Sequence, residues 1–521
     1  MEAIAPKNPL IAFGDRTRKS LCDSKTGGFA MALPTGLLIE PQAVARIDAV
    51  VAASGMDGYR LMQAAGLAVS AAALRDFPEA RRFVVLCGPG NNGGDGYVAA
   101  GSLARHGVTI GLFSLDGAPP ATSDARRAMD ECRLSPGNLK DYRPQQGDVV
   151  IDAIFGAGLG RDVPQDVARI IEVVTGAGIP VVAVDIPSGI CGRSGAIRGE
   201  AFRASLTVTF MARKPGQLLL PGRNHCGRIE IAGIGVPDRF VRAHHSAIVE
   251  NHPGLWRAFT ANRQAESHKY AHGHLVVFSG GPSSTGAARL AALAGLRAGA
   301  GLVTLASPGD SMKVNAGHLT AVMLRETNDL YDLEAIRADV RINAFVLGPA
   351  FGIGEKARRF ALALANRMLV LDADGISSFR DNPDELFSAF SDGEARLVLT
   401  PHEGEFGRLF PDLAKDMALS KVDRALLAAR RSNAVVLLKG ADTVIASPDG
   451  RAAINTNAPP WLATAGSGDV LAGMIGASLA NDFPAFEAAL AGAYMHGEAG
   501  QQAGPGLTAE TLVKQIHRSI N

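Results

Sequence analysis

Two stretches of this chain gather the residue types that could do chemistry. The later one is Asn457-Ala-Pro-Pro-Trp-Leu-Ala-Thr-Ala-Gly-Ser-Gly-Asp-Val-Leu-Ala-Gly473, with Ala465-Gly-Ser-Gly-Asp469 at its centre. Its prolines keep the chain extended, its glycines let it turn, and an apolar helical pattern begins at Val470. Val470, Met474 and Ala477 share one face, with Leu471, Ile475 and Leu479 close to it. The pattern predicts that Gly466 to Asp469 lie at a helix N-terminus, where unpaired N–H groups and the positive dipole end attract an anion. A carboxylate beside such a site is repelled by phosphate, so the chemistry open to Asp469 is to take a proton from an incoming hydroxyl. The plainer alternative is Asp469 as an N-cap, with Gly466 and Gly468 shaping the turn.

The earlier stretch is Gly88-Pro-Gly-Asn-Asn-Gly-Gly-Asp-Gly96, between the apolar run Arg82 to Cys87 and a helical pattern from Tyr97 to His106. Strand, Gly-rich loop and helix is a layout in which backbone N–H groups cradle phosphate. The loop matches neither G-x-G-x-x-G nor the P-loop, so neither of those mechanisms is assigned to it. Two further runs end the same way: Asp148 to Asp152 leads into Ala153-Ile-Phe-Gly-Ala-Gly-Leu-Gly-Arg161, and Ile179 to Asp185 into Ile186-Pro-Ser-Gly189. Asn92, Asp152 and Asp185 therefore fall at or just beyond strand carboxyl ends, where parallel sheets bind ligands. Any one of them alone would serve as a helix cap or turn former.

The elements that must position these residues alternate between strand and helix through both halves. In the first, helical periodicity covers Ala43 to Gly55, Met56 to Leu74 and Ser123 to Cys132, with a strand over Val108 to Phe113. In the second, strands are predicted at His274 to Ser279, Gly301 to Ala306, Ala344 to Gly348, Leu369 to Asp374, Arg396 to Thr400 and Val435 to Gly440, with a helix over Ala288 to Ala300. Polar or glycine-bearing turns follow most of them: Gly280 to Ala287, Pro349 to Gly354, Asp372-Ala-Asp374, Pro401-His-Glu-Gly-Glu405 and Ala441-Asp-Thr443. The expected division is a loose or disordered tail over 1–35, a first domain over 36–240, a linker over 241–264 and a second domain over 265–521.

Composition narrows the class. A length of 521 residues exceeds one core, and 47% hydrophobic with 20% charged residues is an ordinary globular balance. A net charge of +1 gives no support for a nucleic-acid or anionic-membrane surface. Sixty glycines with only 6% aromatics fit parallel α/β domains with Gly-rich loops. Cys22, Cys87, Cys132, Cys191 and Cys226 are scattered without a C-x-x-C pair and read as reduced thiols of a cytoplasmic protein, not as a metal framework. No run of eighteen apolar residues predicts a membrane span. His244, His245 and His252 have no zinc-ligand spacing and are expected to be solvated loop residues.

Gly90-Asn-Asn-Gly-Gly-Asp-Gly-Tyr97, Asp152-Ala-Ile-Phe-Gly-Ala-Gly-Leu159 and Asp185-Ile-Pro-Ser-Gly189 resemble the N-terminal domain of the NAD(P)H-hydrate epimerases, over about residues 36–240. The resemblance implies a Rossmann-like three-layer sandwich. It also implies a hydrated-nicotinamide site lined by Asn91, Asn92, Gly93, Gly94, Asp95, Gly156, Ala157, Gly158, Leu159, Gly160, Arg161, Asp162 and Asp185, and a potassium ion on Asn92, Asp152 and Ser188. Oxygen ligands suit such a hard cation, and Asp185 is the candidate acid–base group.

Lys439-Gly-Ala-Asp-Thr443 ahead of Ala465-Gly-Ser-Gly-Asp469 resembles the ribokinase-like fold. Asp372-Ala-Asp374, Pro401-His-Glu-Gly-Glu405 and Leu462-Ala-Thr-Ala-Gly-Ser-Gly-Asp-Val-Leu471 narrow the resemblance to the ADP-dependent NAD(P)H-hydrate dehydratases, over about residues 268–521. It implies a three-layer α/β/α domain. The hydrate would lie on Ala287, Gly352, His402 and Asp469, and the adenine nucleotide on Lys439, Gly440, Ala441, Asp442, Thr443 and Gly468, with magnesium carried on its phosphates. Ala350 stands where related proteins usually have glycine. The two resemblances together imply a bifunctional repair enzyme that epimerises hydrated NADH and NADPH and dehydrates the S epimer at the expense of ADP, with self-association common to both domain types. The alternatives are a ribokinase-like small-molecule kinase, which would release a stable phosphoester, and a first domain that only binds ligand or acts as a scaffold.

Overall fold

In the computed structural model, residues 36–115, 119–244, 246–260 and 272–516 are described. The expected tail and His245 lie outside them. The first sheet is built from β1 (Arg82–Cys87), β2 (Ile110–Ser114), β3 (Gly137–Asn138), β4 (Asp148–Ala153), β5 (Val181–Val184), β6 (Leu206–Phe210) and β7 (Arg228–Ala232). Their order is β3-β2-β1-β4-β5-β6-β7, and every pairing is parallel. Successive residues of a strand point to opposite faces, so the central strands feed two cores at once. Val85, Ile151 and Val182 join one with the helices Gly58–Asp76 and Asn91–Arg105; Val84, Val150 and Ala183 join the other with the helix Gln165–Gly176. The chain leaves β1 toward β2 on one side and leaves β4 toward β5 on the other, so strand order reverses between β1 and β4. Ligands of open parallel sheets bind outside the carboxyl ends at such a reversal.

The second sheet has the order β11-β10-β9-β12-β13-β14-β15-β16-β17-β8. Its strands are β8 (Ile248–Glu250), β9 (His274–Phe278), β10 (Leu302–Ser307), β11 (Met323–Glu326), β12 (Ala344–Leu347), β13 (Met368–Leu371), β14 (Leu397–Leu399), β15 (Val435–Leu438), β16 (Val444–Ala446) and β17 (Ala452–Ile454). Pairing is parallel from β11 to β15, then antiparallel through β16 and β17. Val277 and Val346 face a core shared with the helices Thr285–Arg297, Ser467–Ala480 and Ala485–Ala503, while Val276 and Leu347 face the opposite core with the helix Lys421–Ser432. The reversal here lies between β9 and β12. Both halves are thus three-layer α/β sandwiches with a mostly parallel sheet.

Two expectations are corrected. The segment 241–264 is not a plain linker: Ile248–Glu250 pairs with β17 and becomes the edge of the second sheet, and Leu37 bridges Val249 from its other side. The helix Ser467–Ala480 does not carry one apolar face; every residue from Val470 to Ala480 is buried, because the helix is sandwiched between two other helices and the sheet. Gly473 permits that approach, since a Cβ there would stand 2.0 Å from the Ala291 carbonyl oxygen. No helix among the described residues is long and apolar enough to cross a membrane. Cys87, Cys132, Cys191 and Cys226 are free thiols, and Cys22 lies outside the described residues.

Candidate functional site

At the reversal of the first sheet, the helix after β1 starts at Asn91, six residues before the predicted start, with Gly90 as its N-cap. Asn91, Asn92, Gly93, Gly94 and Asp95 are its opening turns and not a loop. Their glycines serve close packing: a Cβ on Gly93 would stand 1.9 Å from the Gly88 carbonyl oxygen, and one on Gly96 would stand 2.5 Å from Ala153 Cβ. This pressing of helix on strand brings Asn92 to the neighbouring turn after β4. A Cβ on Gly156 would lie 3.3 Å from Asn92 Oδ1 and 3.5 Å from Asp185 Oδ2, so Asn92, Gly156 and Asp185 share one cradle that a larger residue would crowd.

Asp185 sits just past β5 with φ of 66°, a left-handed conformation that costs a non-glycine residue about 1 kcal/mol. Its surroundings over-determine it. Lys214 Nζ stands 2.5 Å from Oδ1, Thr209 Oγ1 donates to the same oxygen at 3.0 Å, and the Ala157 N–H donates to Oδ2 at 3.2 Å. Gln217 Nε2 donates to the Asp185 carbonyl at 2.7 Å. Burial works to raise this carboxyl, but the Lys214 charge and these hydrogen bonds outweigh it and hold it below the usual carboxylate range. Asp95 is the opposite case: burial, then the charges of Asp185 and Asp48, push it well above that range.

Lys214 was not foreseen. It follows β6, whose Leu206-Thr-Val-Thr-Phe210 pattern hides a buried strand: Thr207 donates to the Cys226 carbonyl, and Thr209 donates to Asp185 and accepts from Lys214 itself at 2.9 Å. The available signal was the basic pair Arg213-Lys214 just before Pro215, a lysine soon after a β-patterned run as Lys439 is. Asp152 is fully buried at the end of β4, accepting from the Ser188 N–H at 2.7 Å, from Ser188 Oγ at 2.6 Å and from the Ile154 N–H at 3.3 Å. Burial pushes it up to about 6 because these donors are neutral. Asn92 Nδ2 is buried without a partner among the described residues. Ala157 is buried, Gly156 and Leu159 are half-buried, and Gly158, Gly160, Arg161 and Asp162 form the open rim.

At the reversal of the second sheet, the turn after β9 meets the turn after β12: a Cβ on Gly280 would stand 1.9 Å from the Ala350 carbonyl oxygen. The carboxyl ends of β13, β14 and β15 supply the charges. Lys439 Nζ lies 2.8 Å from Asp372 Oδ1 and 3.7 Å from Glu405 Oε2, and Thr400 Oγ1 donates to Asp372 at 2.8 Å. Burial works to lower Lys439, but Asp372 and Glu405 outweigh it and raise its pKa.

The helix Ser467–Ala480 begins three residues before the predicted start. Its N-cap is Gly466, with φ of 84° and no side-chain cap, so Asp469 is not the cap. It stands in the first turn instead, half-buried, with its carboxyl left for other work. A Cβ on Gly468 would be 3.5 Å from Lys439 Nζ and 3.9 Å from Asp372 Oδ2, which brings the late turn and the lysine-bearing strand tip together. Burial, then the charges of Asp372 and Asp374, push Asp469 up to about 6 against the opposing pull of Lys439. Behind the turn, His496 is kept neutral by burial, at about 4, and its Nε2 lies 3.0 Å from the Ser467 carbonyl oxygen.

The remaining predicted residues surround this centre. The Gly352 N–H donates to Asp374 Oδ2 at 3.0 Å. His402 caps the helix Glu403–Leu409 through Nδ1, leaving over half of its ring surface exposed beside Glu405. Ala287 is one turn before Leu290, which packs at Gly466. In the turn after β15, Gly440 and Ala441 are exposed, whereas Asp442 and Thr443 point inward; the Thr443 hydroxyl donates to the Gly440 carbonyl at 2.7 Å. A separate groove of about 570 Å³, lined by Phe77, Gln145 and Pro180 among others, lies at the amino ends of β1, β4 and β5, the wrong end of the sheet for either cluster.

Residues 275–520 match the family described as NAD(P)H-hydrate dehydratase, and residues 58–216 match the family described as YjeF-related protein N-terminus. The chain is similar to the bifunctional NAD(P)H-hydrate repair enzyme Nnr of Moorella thermoacetica, with 35% identity over 85% of this chain and 88% of that protein. Its likeness to the Escherichia coli K12 enzyme of the same name is 31% over 90% of each chain. Among solved structures, the ADP/ATP-dependent NAD(P)H-hydrate dehydratase from Bacillus subtilis aligns with 25% identity and a TM-score of 0.43, over 51% of this chain and 95% of that one.

Proposed function

Because the chain belongs to the family of bifunctional NAD(P)H-hydrate repair enzymes, we propose that it restores hydrated NADH and NADPH, exchanging epimers in the half over 36–240 and dehydrating the S epimer with ADP in the half over 265–521. Water added at C6 of the reduced nicotinamide leaves a hydroxyl that departs poorly as hydroxide. Phosphorylated, it departs as phosphate while the ring nitrogen supplies electrons, and loss of the added proton from C5 to solvent restores the C5=C6 double bond. The chain must therefore accept the hydroxyl proton, hold the arriving phosphoryl group and orient the ring.

The observation that carries the dehydratase reading is the position of Asp469: in the first turn of a helix, not used as its cap, beside Lys439 and with a pKa raised to about 6. A carboxylate so raised is still ionised at neutral pH and is a better base than an ordinary one. The Ser467 N–H is spent on the Thr464 carbonyl at 3.3 Å, so the N–H groups of Gly466 and Gly468 are proposed to meet an incoming phosphate, with Lys439 offsetting its charge. Gly352, His402 and Ala287 are proposed as the walls for the hydrate, with Lys439 to Thr443 and Gly468 for the nucleotide. The described residues hold no cluster of three His, Cys, Asp or Glu side chains suited to a metal. Magnesium is accordingly proposed to arrive on the nucleotide, where it neutralises phosphate charge.

In the first half, Asp185 is kept ionised by Lys214, and the pair is proposed to take up and return the proton during epimer exchange. Asn92 with Gly93 to Asp95, and Gly156 to Asp162, are proposed as the cradle. The buried Asp152 is bonded only to neutral donors, two of them from Ser188; its oxygens and those of Ser188 and Asn92 are proposed to hold a monovalent hard cation such as potassium, which would balance the buried charge.

The test is reciprocal substitution. Asp469→Asn is expected to lower ADP-dependent recovery of reduced-nicotinamide absorbance by about 10³-fold while epimer exchange persists. Asp185→Asn is expected to do the reverse; it strands the Lys214 ammonium at a cost of about 3 kcal/mol, and the surviving dehydratase activity then reports that the chain still folds. Loss of both activities in each variant would overturn the two-site assignment.

A further inference from the structure

The first half reaches into the nucleotide turn of the second. Arg223, in the short helix Gly222–His225 beyond β6, donates from one guanidinium nitrogen to the Ala441 carbonyl at 3.0 Å and from another to the Thr456 carbonyl at 3.1 Å. Three residues earlier, the Leu220 N–H donates to Asp442 Oδ2 at 2.9 Å. The other oxygen of Asp442 accepts from Lys421 Nζ at 2.7 Å, so this buried carboxylate divides its two oxygens between the halves. Lys421 holds the start of the turn: its ammonium donates to the Lys439 carbonyl at 3.3 Å and lies close to Gly440, where a Cβ would come within 2.4 Å of it. The carbonyls of Ala441 and Thr456 receive their hydrogen bonds from Arg223 instead. A planar guanidinium can hold two carbonyls on separate segments at once, which a lysine ammonium cannot do with the same geometry.

We propose that Arg223 is a positioning residue for the second half's nucleotide turn, so that the first half sets the affinity of the other half for adenine nucleotide. The inference rests on the reading of Lys439 to Thr443 as the nucleotide turn. Arg223 touches no reacting group. It selects the turn's binding-competent shape, and a turn that spends less time in that shape binds its ligand proportionally more weakly. The effect belongs in nucleotide affinity and not in the chemical step.

The experiment measures equilibrium ADP binding and steady-state dehydration in the full chain for Arg223→Ala, Arg223→Lys and Lys439→Ala. Arg223→Ala is expected to raise the Kd and KM for ADP by roughly three- to tenfold, through the loss of one exposed and one part-buried hydrogen bond that hold the turn. At saturating ADP, kcat is expected to stay within about twofold, and epimer exchange to be unchanged. Arg223→Lys is expected to recover only part of the affinity. An ADP affinity unchanged in Arg223→Ala, while Lys439→Ala weakens it, would overturn this inference alone. An ADP affinity unchanged in Lys439→Ala would remove the nucleotide-turn reading as well. A fall in kcat equal to the change in kcat/KM for Arg223→Ala would also overturn the positioning role, because it would place the residue's effect in the chemical step.

Discussion

Asp185, just past β5, and Asp469, in the first turn of the helix Ser467–Ala480, each lie near a lysine, yet their environments push their pKa values in opposite directions. Lys214 is bonded directly to Asp185 and lowers it, whereas Lys439 spends its hydrogen bond on Asp372, and burial, then the charge of Asp372, raises Asp469 to about 6. The working form of Asp469 as a base is the ionised one, present above its folded pKa. The kcat/KM of dehydration is therefore predicted to fall as pH drops through about 6, a profile measurable from absorbance recovery. Asp372→Asn removes the nearest like charge and frees Lys439, so the inflection is predicted to move to lower pH; an inflection that stays put or rises would assign it to another group. Asp185 and Asp372 were legible in the sequence because each follows an apolar run, and Asp469 because an apolar helical pattern begins just after it. Lys214 was not, since its strand interleaves threonines whose burial is made tolerable by partners remote in the sequence.

At the scale of elements, both helix starts were read too late, at Tyr97 instead of Asn91 and at Val470 instead of Ser467. Glycine and asparagine are poor helix formers and mark turns in a sequence; here Gly93 and Gly96 are helical because strand and helix touch through them. The short strands β16, β17 and β8 at one end of the second sheet escaped notice because each spans three residues and β8 finds its partner some two hundred positions away. Ala350 was noted as an alanine where glycine is usual, and its φ of 49° gives the reason. Ala350→Gly is predicted to relieve left-handed strain of about 1–2 kcal/mol, offset by about 0.5–1 kcal/mol of added unfolded-chain entropy, for a net gain near 0.5–1 kcal/mol in urea denaturation. A loss of stability would show that the alanine methyl makes a packing contribution larger than the strain.

At the scale of the whole molecule, the two sandwiches are joined by specific polar contacts. Arg193 meets Asp423 at 2.6 Å, Arg213 meets Glu250, and Arg223 meets the turn after β15. The pairing of the halves was legible from two motif sets in one chain; the contacts between them were not, because an arginine donating to a distant carbonyl leaves no local pattern. The account rests on one shared chemistry, a hydroxyl made to leave as phosphate within reach of Asp469. Its most direct measurement is product analysis with chemically prepared S-hydrate of NADH and ADP. The predicted result is reduced cofactor, AMP and free phosphate in equal amounts from the native chain, and none above background from Asp469→Asn. A phosphorylated nicotinamide product that accumulates without recovery of reduced cofactor, or an Asp469→Asn chain that turns over at the native rate, would contradict it.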